Sequence, residues 1–196
     1  ISAAISRVLI ERRLRGCEDL SLSKQLKKVE KVFAPMVVIT SCSVAFAHGS
    51  NDVGNAVGPL AAILQTVKTQ SVAMKVPVPI WLLALGGGGI VVGLATYGYR
   101  VMITVGRKIT QITPSRGVAA DLAASITVLV CSRLKLPVST THTLVGAILG
   151  IGLARGLGAI NRKVTRNIFG SWLITVPAAG LLSGVFFLIA RYLFVG

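Results

Sequence analysis

Apolar and polar residues fall in long blocks along this chain, not in the short alternations of a soluble fold. From Val32 to Val67, a run of 36 residues contains no acidic, basic or histidine side chain besides His48 and Asp52. As one helix that run would be about 54 Å long, against a hydrocarbon core of about 30 Å. Its centre is polar: His48-Gly49-Ser50-Asn51-Asp52-Val53-Gly54-Asn55-Ala56-Val57-Gly58-Pro59. Gly49, Gly54 and Gly58 relax the backbone and Pro59 withholds an N–H, so the pattern predicts two short helices, roughly 33–47 and 52–66, meeting at a break. Unpaired backbone and a carboxylate at membrane depth are tolerated where they line a cavity, which makes the break a candidate functional site.

Residues 1–10 read as the tail of an earlier apolar segment. Residues 11–31 mix basic and acidic side chains with a stripe of Leu20, Leu22, Leu26 and Val29, which suits a surface-lying amphipathic helix or, equally, a solvated linker. A polar connection from Lys68 ends in Val76-Pro77-Val78-Pro79, a stiff extended stop. Ile80 to Tyr99 is uncharged and long enough for one span, which extends past Arg100 towards Val105. Gly86 to Gly89 and Gly93 give it a smooth face, with Gly89 and Gly93 as a pair suited to close helix packing. No Lys-Ser/Thr follows that run, so it does not read as a phosphate loop.

Residues 117–154, interrupted by Arg133-Leu134-Lys135-Leu136-Pro137, read as a re-entrant helical hairpin, with two tilted spans as the alternative. Asp121, near the start of this stretch, reads as a cap or ion-pair partner rather than a ligand. Residues 167–190 make a last uncharged span containing Pro177 and the Gly180/Gly184 pair.

Composition agrees with these blocks: 53% of residues are hydrophobic and 14% charged. The fold class expected is an all-α polytopic membrane protein, with 1–31 a cytoplasmic linker or amphipathic segment and 32–196 the transmembrane region. A formal net charge of +15 could suggest nucleic acid, but the basic residues lie almost entirely between apolar runs. That placement points to loops held at anionic lipid instead. If the first run crosses once and 117–154 returns to the side it left, 16 Lys and Arg residues fall on one side, 3 on the other and 2 at the hairpin tip. If the first run is itself a hairpin, the split drops to 11 against 8, so the first arrangement is preferred. The N-terminal segment and the 106–116 and 155–166 loops are then cytoplasmic, in a cell (inner or plasma) membrane. Cys17, Cys42 and Cys131 lack metal or disulfide spacing. The chain starts mid-pattern without Met and reads as a fragment of something longer.

The polar centres carry the chemistry. Asn51, Asp52 and Asn55 offer two amide oxygens and a carboxylate, hard donors suited to Na⁺ or, on Asp52, to a proton. If a helix restarts at Asp52, Asn51 or Asp52 caps it, and its free N–H groups favour an anion. Ser139, Thr140 and Thr141 place hydroxyls at a second helix start. Plain packing is the competing reading of both clusters, and His48 and His142 read as hydrogen-bonded packing residues rather than ligands.

Gly49-Ser50-Asn51-Asp52-Val53-Gly54-Asn55-Ala56 resembles the GANDVANA signature of the inorganic phosphate transporter family. Pro137-Val138-Ser139-Thr140-Thr141-His142 is similar to that family's second signature, P-[IV]-S-T-T-H. Ser50 and Gly54 replace alanines, both conservatively. The family carries each signature twice, in inverted halves; this chain has each once, in the setting of the C-terminal half. The resemblance implies cation-coupled symport of inorganic phosphate, with sodium or a proton as coupling ion and the site between two inverted repeats at the midplane. It implies a sodium site of Asn51, Asp52 and Asn55, and substrate binding by Asn51, Asp52, Ser139, Thr140 and Thr141. No resident cofactor, catalytic residue or nucleic-acid partner is expected. The partners implied are phosphate, the coupling ion, membrane lipid and the other transporter half, with self-association left open.

Two other classes compete. An intramembrane hydrolase would use Ser139 or Asp52 as nucleophile and His142 or His48 as base, but no carboxylate is placed to orient the histidine. A non-transporting scaffold or receptor would have no need of Asp52.

Overall fold

A computed structural model describes residues 21–73 and 75–194, and among these residues there are five long helical stretches and no strand. Helix α1, Leu22–Thr69, is 48 residues long, about 72 Å. It runs without interruption through the polar centre, so the expected break at 48–51 is not present. Glycine relaxes a helix without forcing it open: each costs about 1 kcal/mol relative to alanine. An unsatisfied peptide group in hydrocarbon costs several, so continuity wins. Pro59 lies inside the helix and leaves the Asn55 carbonyl without its usual N–H donor. The boundary expected at residue 31 also falls inside α1, and residues 1–20 lie outside the described residues.

Gln70, in the left-handed conformation, ends α1 by donating its N–H to the Thr66 carbonyl. An extended link reaches Pro79, after which α2 begins at Ile80. Helix α2 runs from Ile80 to Lys108, α-helical to Gly93 and at Tyr99–Ile103, with π-helical turns at Leu94–Gly98 and Thr104–Lys108. Its close approach to α1 is at Gly86, where a Cβ would lie 2.6 Å from Val57 Cγ2. Gly89 and Gly93, the pair expected to pack, have no atom within 4 Å of an added Cβ. Val57, Ala61 and Leu82 are buried together at that crossing.

Helices α3, Pro114–Arg133, and α4, Thr140–Ala154, form the hairpin. With 15 residues, about 22 Å, α4 is too short to cross a hydrocarbon core. Helix α3 climbs beside α1, bonded to it at three levels: Ser115 to Glu30, Asp121 to Thr40 and Ser41, and Ser132 to Asn51. The hairpin tip therefore lies at the middle of α1, which continues 18 residues beyond Asn51, about 27 Å. Helix α5, Arg162–Phe194, behaves alike: Trp172 stacks beside His142 at the tip, and 22 more residues extend past it. The hairpin turns back where α1 and α5 go on, as a re-entrant element does.

The opposite end of the hairpin gathers the basic segments. Asn161 N donates to Ile109 O at 2.9 Å, and Arg155 Nη1 donates to Gln111 O at 3.4 Å. Glu30 accepts from both N and Oγ of Ser115, at 2.9 and 2.7 Å, tying the start of α1 to the same end. The three segments assigned to one side by charge thus meet in space. Ile109, Ala120, Val145 and Ile148 form the apolar core behind them. No described residue of α5 is fully buried: Val164 and Ile168 pack against that core, and most of its other Leu, Ile, Val and Phe side chains face outwards. Among the described residues, four helices are long and apolar enough to cross a membrane. The chain is a multi-pass integral membrane protein.

Candidate functional site

The site forms where the middle of α1 meets the hairpin tip. Asn51, 7% exposed, is its best-buried member. Its Nδ2 donates to Val138 O at 2.8 Å and to Asp52 Oδ1 at 3.1 Å, while its Oδ1 accepts from Ser132 Oγ at 3.3 Å. Asn55, one turn on, donates its Nδ2 to the same Val138 carbonyl at 3.4 Å. The helical spacing that places Asn51 and Asn55 on one face holds, although no helix starts there.

Asp52 is approached from two elements. Thr140 Oγ1 lies 3.2 Å from each carboxylate oxygen, and His48 Nε2 lies 2.7 Å from Oδ2. Residues 48 and 52 are one helical turn apart, which puts the imidazole over the carboxylate. His48, expected as a bonded residue and not a ligand, has Asp52 as its partner, and the i,i+4 spacing is the signal of that contact in the sequence. The roles of Ser132 and of the Val138 carbonyl have no such signal, because only the folded hairpin brings them to α1.

At the tip, Lys135 in the left-handed conformation makes the turn ahead of Pro137, and Ser139 caps α4. Its Oγ accepts from His142 N at 3.3 Å. The N–H groups of Thr140 and Thr141, in the first turn, have no intrahelical acceptor and are free to meet an anion. The expectation of two such helix starts is corrected to one: α4 supplies it, and α1 contributes side chains only.

Thr141 does not join Thr140 at Asp52. It lines a cavity on the other flank of α4 with Arg100 and Trp172. His142 stacks on Trp172, ring centroids 3.9 Å apart, and so packs rather than ligates. Asp121 accepts from Thr40 Oγ1 at 2.9 Å and Ser41 Oγ at 2.8 Å, so among the described residues it is neither cap nor ion-pair partner but a tie between α1 and α3. Among the described residues, no group of three or more His, Cys, Asp or Glu side chains is placed to hold a metal ion.

The groups that do converge are the Asp52 carboxylate, the Val138 carbonyl, the Thr140 hydroxyl and the side-chain amides of Asn51 and Asn55, whose Nδ2 atoms face that carbonyl. Such a set suits a small monovalent cation, with the free N–H groups of α4 beside it for an oxyanion. Asn55, Ser139 and Thr141 are exposed, so the site is open on the side away from α1 and the hairpin.

A family model described as the phosphate transporter family matches residues 13–183. A protein named as a phosphate permease in Pyrococcus abyssi is 57% identical over 159 residues, which cover 81% of this chain and 39% of that protein. A chloroplastic inorganic phosphate transporter of Arabidopsis thaliana is 48% identical over 164 residues, 83% of this chain and 28% of its own length. A solved structure described as the sodium-dependent phosphate transporter superposes with a TM-score of 0.73 at 44% identity, covering 87% of this chain and 41% of that one. The chain thus spans well under half the length of these relatives.

Proposed function

The chain belongs to the phosphate transporter family, and from that membership we propose that it forms half of a site for cation-coupled symport of inorganic phosphate. The observation that carries the reading is the meeting of Asp52 with Thr140 at the hairpin tip, halfway along α1. Sodium is the favoured ion because the donors are hard oxygens and because the solved relative is described as sodium-dependent.

In this arrangement Asn51 and Asn55 both turn Nδ2 towards Val138 O. A cation bound beside that carbonyl requires the two amides to turn over and present their oxygens. Binding of the ion would then release Asn51 Nδ2 from Asp52 and leave the carboxylate to the cation. Phosphate would sit against that cation and the free N–H groups at the start of α4, with Ser139 and Thr140 offering hydroxyls around it. A complementary half, packed over the open side, would complete both shells and exclude water.

Asp52→Asn tests the reading. It keeps shape and hydrogen bonding but removes the charge, so cation-coupled phosphate uptake by the complete transporter should be lost while membrane insertion is retained. Uptake with unchanged sodium and pH dependence would refute the assignment. Arsenate, a tetrahedral oxyanion with the same protonation pattern, should compete with phosphate better than sulfate does. A protonated phosphate oxygen finds an acceptor in Asp52 or an Asn side chain, and sulfate has no proton to give. Equal competition by the two anions would count against the site.

A further inference from the structure

We propose that the cavity between α2, α4 and α5 is a second site for a phosphate group, anchored by Arg100, on the basic side of the first. The cavity is about 490 Å³ and is lined by Tyr97, Arg100, Thr104, Thr141, Ser171 and Trp172 among others. It adjoins the proposed transport site through one peptide link, since Thr140 faces Asp52 and Thr141 faces the cavity.

Arg100 is the only charged residue between Ile80 and Gly106. Side chains on a helix lean towards its N-terminus, which for α2 is away from the basic end. Arg100 follows that lean: its guanidinium lies 5.2 Å from the ring centroid of Tyr97, and its Nε donates to Tyr99 Oη at 3.0 Å. It is thus held at the level of the hairpin instead of reaching down to the basic loops. Among the described residues, no carboxylate is paired with it. The Tyr99 and Tyr97 side chains take up part of the guanidinium, and the remaining donors of the fork are left for an anion.

π-helical turns stand immediately before and after the Tyr99–Ile103 segment that carries Arg100. Each such turn shifts the register of the downstream helix by about one residue, and π-turns recur at functional sites. Residues 97, 100, 101, 104 and 105 share the face that lines the cavity, at the i, i+3, i+4, i+7, i+8 spacing of one helical stripe. Among the described residues, none is hydrogen-bonded to the Thr141 side chain, so its hydroxyl is available beside the guanidinium. Thr104 and Ser171 hydroxyls bond to Arg100 O and Asn167 O and can accept or turn.

An arginine fork with hydroxyls recognises a phosphate group, whether on free phosphate leaving the transport site or on an anionic lipid headgroup. The proposal extends the transport reading without using Asp52, so the two can fail separately. The test uses the complete transporter in the Asp52→Asn background, in sodium-free nanodiscs of neutral lipid or of neutral lipid mixed with phosphatidylglycerol. Radiolabelled inorganic phosphate is the probe, and co-purifying phosphatidylglycerol is measured in parallel.

Arg100→Gln should weaken phosphate binding about tenfold or more, and Arg100→Lys should retain most of it. Thr141→Val should produce a smaller loss. All variants are compared as monodisperse protein. If free phosphate is the ligand, adding phosphatidylglycerol leaves its binding unchanged. If a headgroup is the ligand, added phosphatidylglycerol displaces phosphate and is retained less by Arg100→Gln. The proposal is overturned if neither phosphate binding nor lipid retention depends on Arg100. Sodium-dependent phosphate binding that survives Asp52→Asn would instead overturn the first site and leave the Arg100 comparison standing.

Discussion

A hydroxyl that reaches both oxygens of a carboxylate fixes its orientation, and Thr140 does this to Asp52 at 3.2 Å while Thr141 looks into the neighbouring cavity. The two threonines should separate in mutants. Hydrogen bonds to a charged group contribute about 1.5–3 kcal/mol, so Thr140→Val should raise the sodium concentration for half-maximal uptake by about tenfold or more. Thr141→Val should leave sodium activation unchanged and affect phosphate alone. The check is uptake measured against sodium at fixed phosphate, and an equal sodium shift in both variants would remove the distinction. At this scale the sequence is half legible. Asn51, Asp52, Asn55 and Thr140 stand in signatures that show their chemistry, and the spacing of His48 from Asp52 reveals their contact. The division between Thr140 and Thr141 has no such signal, since it depends on how α4 is rotated against α1 and α5.

Between elements, close approach and hydrogen bonding hold the site in register. Gly86→Ala would place a Cβ 2.6 Å from Val57 Cγ2, a buried side chain, and should destabilise the α1–α2 crossing by about 1–3 kcal/mol. Gly89→Ala meets nothing within 4 Å and should be tolerated. Adding Val57→Ala to Gly86→Ala should recover part of the loss, and thermal unfolding in detergent measures the coupling. Additive losses would place the effect elsewhere. Asp121→Ala removes the acceptor shared by Thr40 and Ser41 and should loosen α3 from α1, lowering the melting temperature while sparing the affinity for sodium. Helix lengths and the hairpin turn are legible because blocks of apolar residues map onto spans. The continuity of α1 is not, because glycine and proline mark where a helix can yield. Whether it yields is decided by the peptide groups that hydrocarbon would leave unpaired. Gly86, unlike Gly89, faces Val57 only because of the angle at which α2 returns, and no feature of the glycine run distinguishes them.

Across the whole molecule, charge is sorted by end. Glu30, Ser115, Gln111, Arg155 and Asn161 tie the three basic segments together, while the site lies at the hairpin tip, remote from them. In the proposed site a carboxylate and a phosphate dianion share a pocket far from that positive end. At about 4 Å, unit like charges repel by about 4 kcal/mol at an effective dielectric of 20, a loss near a thousandfold in affinity. A cation held by Asp52, Asn51 and Asn55 would reverse that sign, which makes the ion a condition for phosphate binding. Linkage requires that sodium and phosphate tighten each other by the same factor. The direct test is an equilibrium titration of phosphate into the complete transporter with and without sodium, at acidic and neutral pH. The account predicts that phosphate affinity falls at least about tenfold without the coupling ion, and that Asp52→Asn largely removes this dependence. Phosphate binding of equal strength with and without sodium at both pH values would contradict it.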